Sequence, residues 1–113
     1  MDRKLRKYLS DILSSILEIE SFMENRPREY ATFCNDTLFR RGVERNMEIM
    51  GEAMNQALKI NPDIPITASR KIVDTRNFVI HAYDSLKPDI LWGIVINHMP
   101  LLKKEIEALL EGE

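Results

Sequence analysis

One cysteine, two histidines and four glycines stand among 113 residues, and each scarcity closes off a class of protein. A lone Cys34 cannot build an intrachain disulfide framework and suits a reducing, cytoplasmic setting. One cysteine and two histidines fall short of the four ligands a Cys/His structural zinc site requires. A carboxylate-held magnesium stays open, but no motif points to it, and no cofactor or metal is expected. Gly42, Gly51, Gly93 and Gly112 are scattered, which leaves no phosphate-cradling loop of the P-loop or Rossmann kind. A positive excess is missing too: 16 Lys and Arg against 18 Asp and Glu give a net charge of −2. Proteins that hold nucleic acid by bulk electrostatics usually carry the opposite balance. A local basic site remains open between Arg70 and Lys87, where Arg70, Lys71, Arg76 and Lys87 face Asp74 and Asp84. The longest uncharged run, Ile90 to Leu102, is too short for a bilayer, which takes about 20 apolar residues. The start, MDRKLRKYLSDIL, mixes charges and lacks a secretory apolar stretch. The expected location is cytoplasmic, with no membrane contact.

What is present describes a globular chain: 44% hydrophobic and 30% charged residues, enough for one domain over 1–113 and not for two. Apolar residues recur at helical spacing from Leu5 through Leu9, Ile12, Ile16 and Leu17 to Met23. They predict a helix from about Asp2 to Glu24, ended by Asn25-Arg26-Pro27. A connector follows, with room for a helical turn around Arg28 to Phe33. Asn35 or Asp36 can cap a second helix, whose stripe runs Leu38, Phe39, Val43, Met47, Met50, Met54, Ala57 and Leu58. Asn61-Pro62-Asp63-Ile64-Pro65 reads as a loop. Thr67 or Ser69 can cap a third helix that reaches about Ser85. Pro88 suits the first turn of a fourth. That last helix is apolar nearly all round at Ile90, Leu91, Trp92, Ile94, Val95 and Ile96, so it is expected to be buried on two sides, the second against another protomer. Pro100 predicts a kink or restart. No stretch alternates with the period of a strand. The fold class is therefore all-α, an up-and-down bundle of four to five helices, dimeric.

Chemistry concentrates in Arg76-Asn77-Phe78-Val79-Ile80-His81-Ala82-Tyr83-Asp84. At about 100° per residue, Tyr83 falls nearly over Arg76, while Asn77 and His81 are surface neighbours. Asp84 projects between the two pairs, which leaves Phe78, Val79 and Ala82 for the core. Such a set suits cleavage of RNA by its own 2′-hydroxyl. A histidine near neutral pKa moves the proton, and an arginine faces the phosphorane-like transition state. One helix supplies one histidine for two proton-transfer jobs, and a dimer would supply the second. The same residue types on one helix face are otherwise solvated surface, or hydrogen bonds across a bundle.

Arg76-Asn77-x-x-x-His81-x-Tyr83 resembles the R-x4-H-x-Y motif of HepT-type HEPN proteins, in which a polar residue follows the arginine. Val43-Glu44-Arg45-Asn46-Met47-Glu48-Ile49-Met50-Gly51-Glu52-Ala53 resembles the family's second-helix segment ending in Gly-Glu-Ala. Leu91-Trp92 through Met99-Pro100-Leu101 resembles its final helix. The resemblance implies a HEPN-like helical homodimer in which two R-x4-H motifs meet in a composite, metal-independent endoribonuclease site. It further implies a toxin acting on RNA, with tRNA a candidate target, paired with a minimal nucleotidyltransferase antitoxin that transfers AMP to the motif tyrosine. Arg76 and His81 then carry over as catalytic, Asn77 and Asp84 as site support, and Tyr83 as the modification target. Glu52 is a supporting residue expected to pair with an arginine of the third helix. The alternative is a non-catalytic helical module that binds a nucleotidyltransferase or a nucleotide. His98 reads as a helix-end residue, the methionine stripe as core packing, and Trp92 as an anchor of the core or of the dimer. Arg3, Lys4, Arg6 and Lys7 read as a solvated helix start that is also able to touch RNA.

Overall fold

The computed structural model describes residues 1–81 and 88–112, with the side chains of 77–81 left aside. Six helices run through the described residues: α1 (Arg3–Met23), α2 (Tyr30–Asn35), α3 (Thr37–Ile60), α4 (Ser69–His81), α5 (Pro88–Asn97) and α6 (Met99–Glu111). The fold is all-α, a HEPN-like helical bundle. Among the described residues no helix is long and apolar enough to cross a membrane.

The two longest helices, α1 and α3, each start where a side chain takes over an orphan amide. The Asp2 carboxylate accepts from the Leu5 amide at 3.0 Å and opens α1. Asp36 does the same for α3, accepting from the Phe39 amide at 3.0 Å, while its other oxygen takes Nε of Arg26 at 2.8 Å. On α1 the residues Leu5, Leu9, Ile12, Ile16, Ile19 and Met23 turn inward, a spacing of three and four that keeps one stripe on the core. Leu17, expected on that stripe, is 48% exposed, because it lies about 100° round the helix from Ile16. Leu38 is a second correction: it is 76% exposed, and Phe39 beside it takes the inward position. Met47, Met50 and Met54 are fully buried, as their spacing predicts.

Helices α1 and α3 run antiparallel. Phe22 lies over Gly42, and four residues on, Asn46 donates to Glu18. The connector before α3 is more helical than its sequence suggests. Phe33 of α2 is fully buried, stacks on Trp92 at 5.1 Å and meets Phe39 edge-on at 5.3 Å. Burying a phenylalanine contributes about 1.5–3 kcal/mol, so tertiary packing holds a six-residue helix that would not persist alone.

Pro88 opens α5, as expected. Pro100 marks a restart rather than a bend: α5 ends at Asn97, and Pro100 lies in the first turn of α6, where its missing N–H costs nothing. This restart and the helical connector raise the count above the expected four or five. Thr67 does not cap α4. Its amide and hydroxyl donate instead to Glu105 of α6 at 3.0 and 2.8 Å, and α4 begins at Ser69. The expected end near Ser85 lies outside the described residues. On α5, Leu91, Ile94 and Val95 are buried, while Ile96 is 37% exposed and no atom of the described residues lies within 4 Å of the side-chain position at Gly93.

Candidate active site

The site begins with a glycine. A Cβ on Gly51 of α3 would fall 2.6 Å from Cβ of Arg76 and 3.1 Å from the Ile72 carbonyl oxygen, both on α4. Only a residue without a side chain lets α4 cross so near. That crossing puts Arg76 beside Glu52, the next residue on α3, and Nη1 of Arg76 donates to Glu52 Oε2 in a short ion pair. One turn along, Gln56 donates to Glu52 Oε1 at 3.0 Å. The Glu52 carboxyl is held below its usual range by the Gln56 bond first and the Arg76 bond second.

Arg76 is therefore fixed at one edge of its guanidinium. Its side chain is 26% exposed, and Nε is buried with no hydrogen-bond partner among the described residues. The head group lines a cleft of about 380 Å³ that also touches α1 and α3. A permanently charged planar donor, braced from behind and open in front, is a suitable receiver for a phosphate group. Among the described residues, no three His, Cys, Asp or Glu side chains converge as a metal site would need.

Of the residues expected to carry chemistry, the structure brings Arg76 and Glu52 together. Asn77 and His81 lie on α4 by their backbone, one and five positions beyond Arg76, and their side chains are outside the described set. Tyr83 and Asp84 lie outside the described residues altogether. His98 sits at the helix end expected of it, in the cap position of α6, without a capping bond from its side chain. Lys7, Tyr8 and Arg45 share the cleft with Arg76. The sequence signalled only Lys7, as part of a basic helix start.

Fold and site define a small helical protein with an arginine braced for anion recognition, and comparison with known proteins gives the class a name. Residues 12–109 match the family described as Ribonuclease HepT-like. A protein of Methanocaldococcus jannaschii named as a candidate RNase, MJ1380, is 34% identical over 111 residues, covering 95% of this chain and 97% of its own. The protein named probable ribonuclease HepT of Thermococcus cleftensis is 34% identical over 113 residues, covering 96% and 98%. A second M. jannaschii candidate RNase, MJ0127, is 31% identical over 118 residues, covering 98% and 93%. No solved structure matches the chain. The chain belongs to the HepT-like ribonuclease family.

Proposed function

We propose that this chain, as a single HepT-like domain over 1–113, is an endoribonuclease that cuts RNA, with tRNA a candidate substrate, without a metal ion. The observation that carries the reading is Arg76, the first residue of the R-x4-H-x-Y motif. It is braced by Glu52 at a glycine crossing, in a chain that matches the family over 12–109. In the proposed reaction the 2′-hydroxyl attacks the adjacent phosphorus and the bond to the 5′-oxygen breaks. The products are a 2′,3′-cyclic phosphate and a 5′-hydroxyl. One copy of His81 takes the proton from the 2′-hydroxyl, and the second copy returns one to the leaving oxygen. Arg76 donates to the phosphate oxygens as charge builds. Asn77 and Asp84 support the imidazole and the phosphate.

Two copies of His81 require a homodimer with a composite site. The outward, partly apolar side of α5 at Gly93 and Ile96 supports one. We further place the chain as the toxin of a toxin–antitoxin pair whose partner is a minimal nucleotidyltransferase. AMP on Tyr83 would add bulk and negative charge beside Arg76 and His81, and so exclude an RNA phosphate.

The test is cleavage of labelled RNA, tRNA included, in EDTA by protein shown by mass spectrometry to carry no AMP on Tyr83. The expected result is a 2′,3′-cyclic phosphate product, with the rate falling by about 10²–10⁴ in His81→Ala. No cleavage by a confirmed dimer across several RNAs would favour a module that binds a nucleotidyltransferase or a nucleotide without cutting.

A further inference from the structure

The cleft in front of Arg76 is a groove with α3 between its walls, since α1 and α4 both pack on α3. Three cations line it, one from each helix: Lys7 on α1, Arg45 on α3 and Arg76 on α4. Its apolar surface comes from Tyr8, Ile49 and Ala53. Every cation has its own carboxylate in the same groove. Lys7 meets Asp11 at 2.7 Å, Arg45 meets Glu48 at 3.4 Å, and Arg76 meets Glu52. The Lys7 ammonium also lies 5.4 Å from the centre of the Tyr8 ring.

From this we infer that the groove holds the single-stranded RNA next to the scissile phosphate, with a base against Tyr8 and Ile49 and flanking phosphates on Lys7 and Arg45. The inference rests on the ribonuclease reading above and deepens it. An aromatic ring sharing a groove with cations is the combination by which proteins hold a strand without reading its sequence, stacking the base and neutralising the backbone. Beside Lys7 and Arg45 the carboxylates are weak competitors. Lys7 and Arg45 are 67% and 69% exposed, and ion pairs so open to water are worth little. A phosphate can pair with arginine through two parallel bonds, where Glu48 meets Arg45 through one contact at 3.4 Å, and RNA releases counterions as it binds. The groove is thus neutral at rest and basic once Asp11 and Glu48 are displaced. That reconciles a net charge of −2 with an RNA substrate.

Competition by carboxylates makes a signed prediction that a merely structural ion pair would not. Binding is measured by fluorescence anisotropy with a labelled 2′-O-methyl oligonucleotide, which lacks the hydroxyl needed for cleavage, using the whole chain with its oligomeric state determined first. Lys7→Ala and Arg45→Ala should each weaken binding about five- to tenfold and flatten the log–log salt slope by about 0.7. Tyr8→Ala should weaken it by about tenfold. Glu48→Gln should tighten binding about threefold. It should do so by more than Asp63→Asn, which makes the same charge change in the 61–65 loop away from the groove. In cleavage assays the Arg45→Ala defect should appear in KM with kcat near wild type.

Wild-type binding by both Lys7→Ala and Arg45→Ala, with Glu48→Gln no tighter than Asp63→Asn, would overturn the inference while leaving cleavage intact. Loss of the dimer in Lys7→Ala or Arg45→Ala would overturn it as well, by making the groove a subunit contact. A wild type that neither binds nor cuts RNA would remove the ribonuclease reading and this inference with it.

Discussion

At Gly42 and again at Gly51, helix α3 is met by a neighbour too near for a side chain, yet the two neighbours bring different things. At Gly42 the intruder is the Phe22 ring, whose atoms stand 2.6 and 2.9 Å from where a Cβ would sit. At Gly51 it is the α4 backbone and the Cβ of Arg76. A ring at the end of a side chain can turn aside, whereas a helix has to move as a body. The first contact is packing between α1 and α3. The second fixes the position of the one candidate catalytic side chain that the structure describes. Similar steric demands therefore serve stability at one place and, on the proposed mechanism, catalysis at the other.

Alanine substitution separates the two. Overpacking costs about 1–3 kcal/mol, and replacing a helical glycine by alanine returns up to about 1 kcal/mol. Gly51→Ala should therefore lose about 1–2 kcal/mol by denaturant unfolding. It should also lose cleavage by about tenfold or more, because a shift of α4 misplaces Arg76. Gly42→Ala should stay within about 1 kcal/mol of wild type, with cleavage unchanged. Equal behaviour of the two variants in both assays would erase the distinction.

Glu52→Gln sharpens it further. The variant keeps the shape and removes the charge behind Arg76, and cleavage should fall about three- to tenfold with the fold intact. The carboxyl of Glu52 is depressed by Gln56 and Arg76. Its contribution to stability is therefore present above the ordinary carboxylate pKa and is lost as pH falls through the lowered folded value. The stability difference between wild type and Glu52→Gln should shrink as pH falls from the ordinary carboxylate range and vanish below the lowered folded value. Asp36, lowered first by its bond from Arg26 and then by the Phe39 amide, should follow the same direction at the other end of α3.

The smallest effect is expected at Glu44, where burial raises the carboxyl against the pull of Arg41 and Arg40. A raised carboxyl stabilises below its unfolded pKa, and that benefit is lost as pH rises through the folded value. Glu44→Gln should slightly exceed the wild-type Tm at pH 7 and lose that advantage in acid, whereas Glu52→Gln should start below wild type at pH 7 and catch up in acid. A Glu44→Gln advantage that grows in acid would contradict this account of the two carboxylates.

Local signals in the chain placed most of the architecture, and non-local ones did not. Asp2, Asp36 and the Asn61-Pro62 break set the ends of α1 and α3 because a cap or a proline acts within a turn of itself. Pro100 announced the restart of α6 for the same reason. Thr67 was out of reach, because its partner Glu105 lies 38 residues away, and α2 is held by Trp92 rather than by its own propensity. Leu38 and Leu17 were misplaced because a hydrophobic stripe read by spacing has a blurred edge. At the site, Arg76 stood out through its motif, and pairing with Glu52 followed from two segments of the family resemblance. The groove formed with Lys7, Tyr8 and Arg45 was illegible, since it depends on how α1 and α4 sit across α3.

On the proposed mechanism Arg76 is braced for chemistry rather than for structure. The most direct test is the rate of RNA cleavage by Arg76→Ala alongside its thermal unfolding. The rate should fall by about 10²–10³ with stability within about 1 kcal/mol of wild type, since Glu52 keeps its bond from Gln56 and the pair is partly open to water. Wild-type cleavage by a well-folded Arg76→Ala would contradict it.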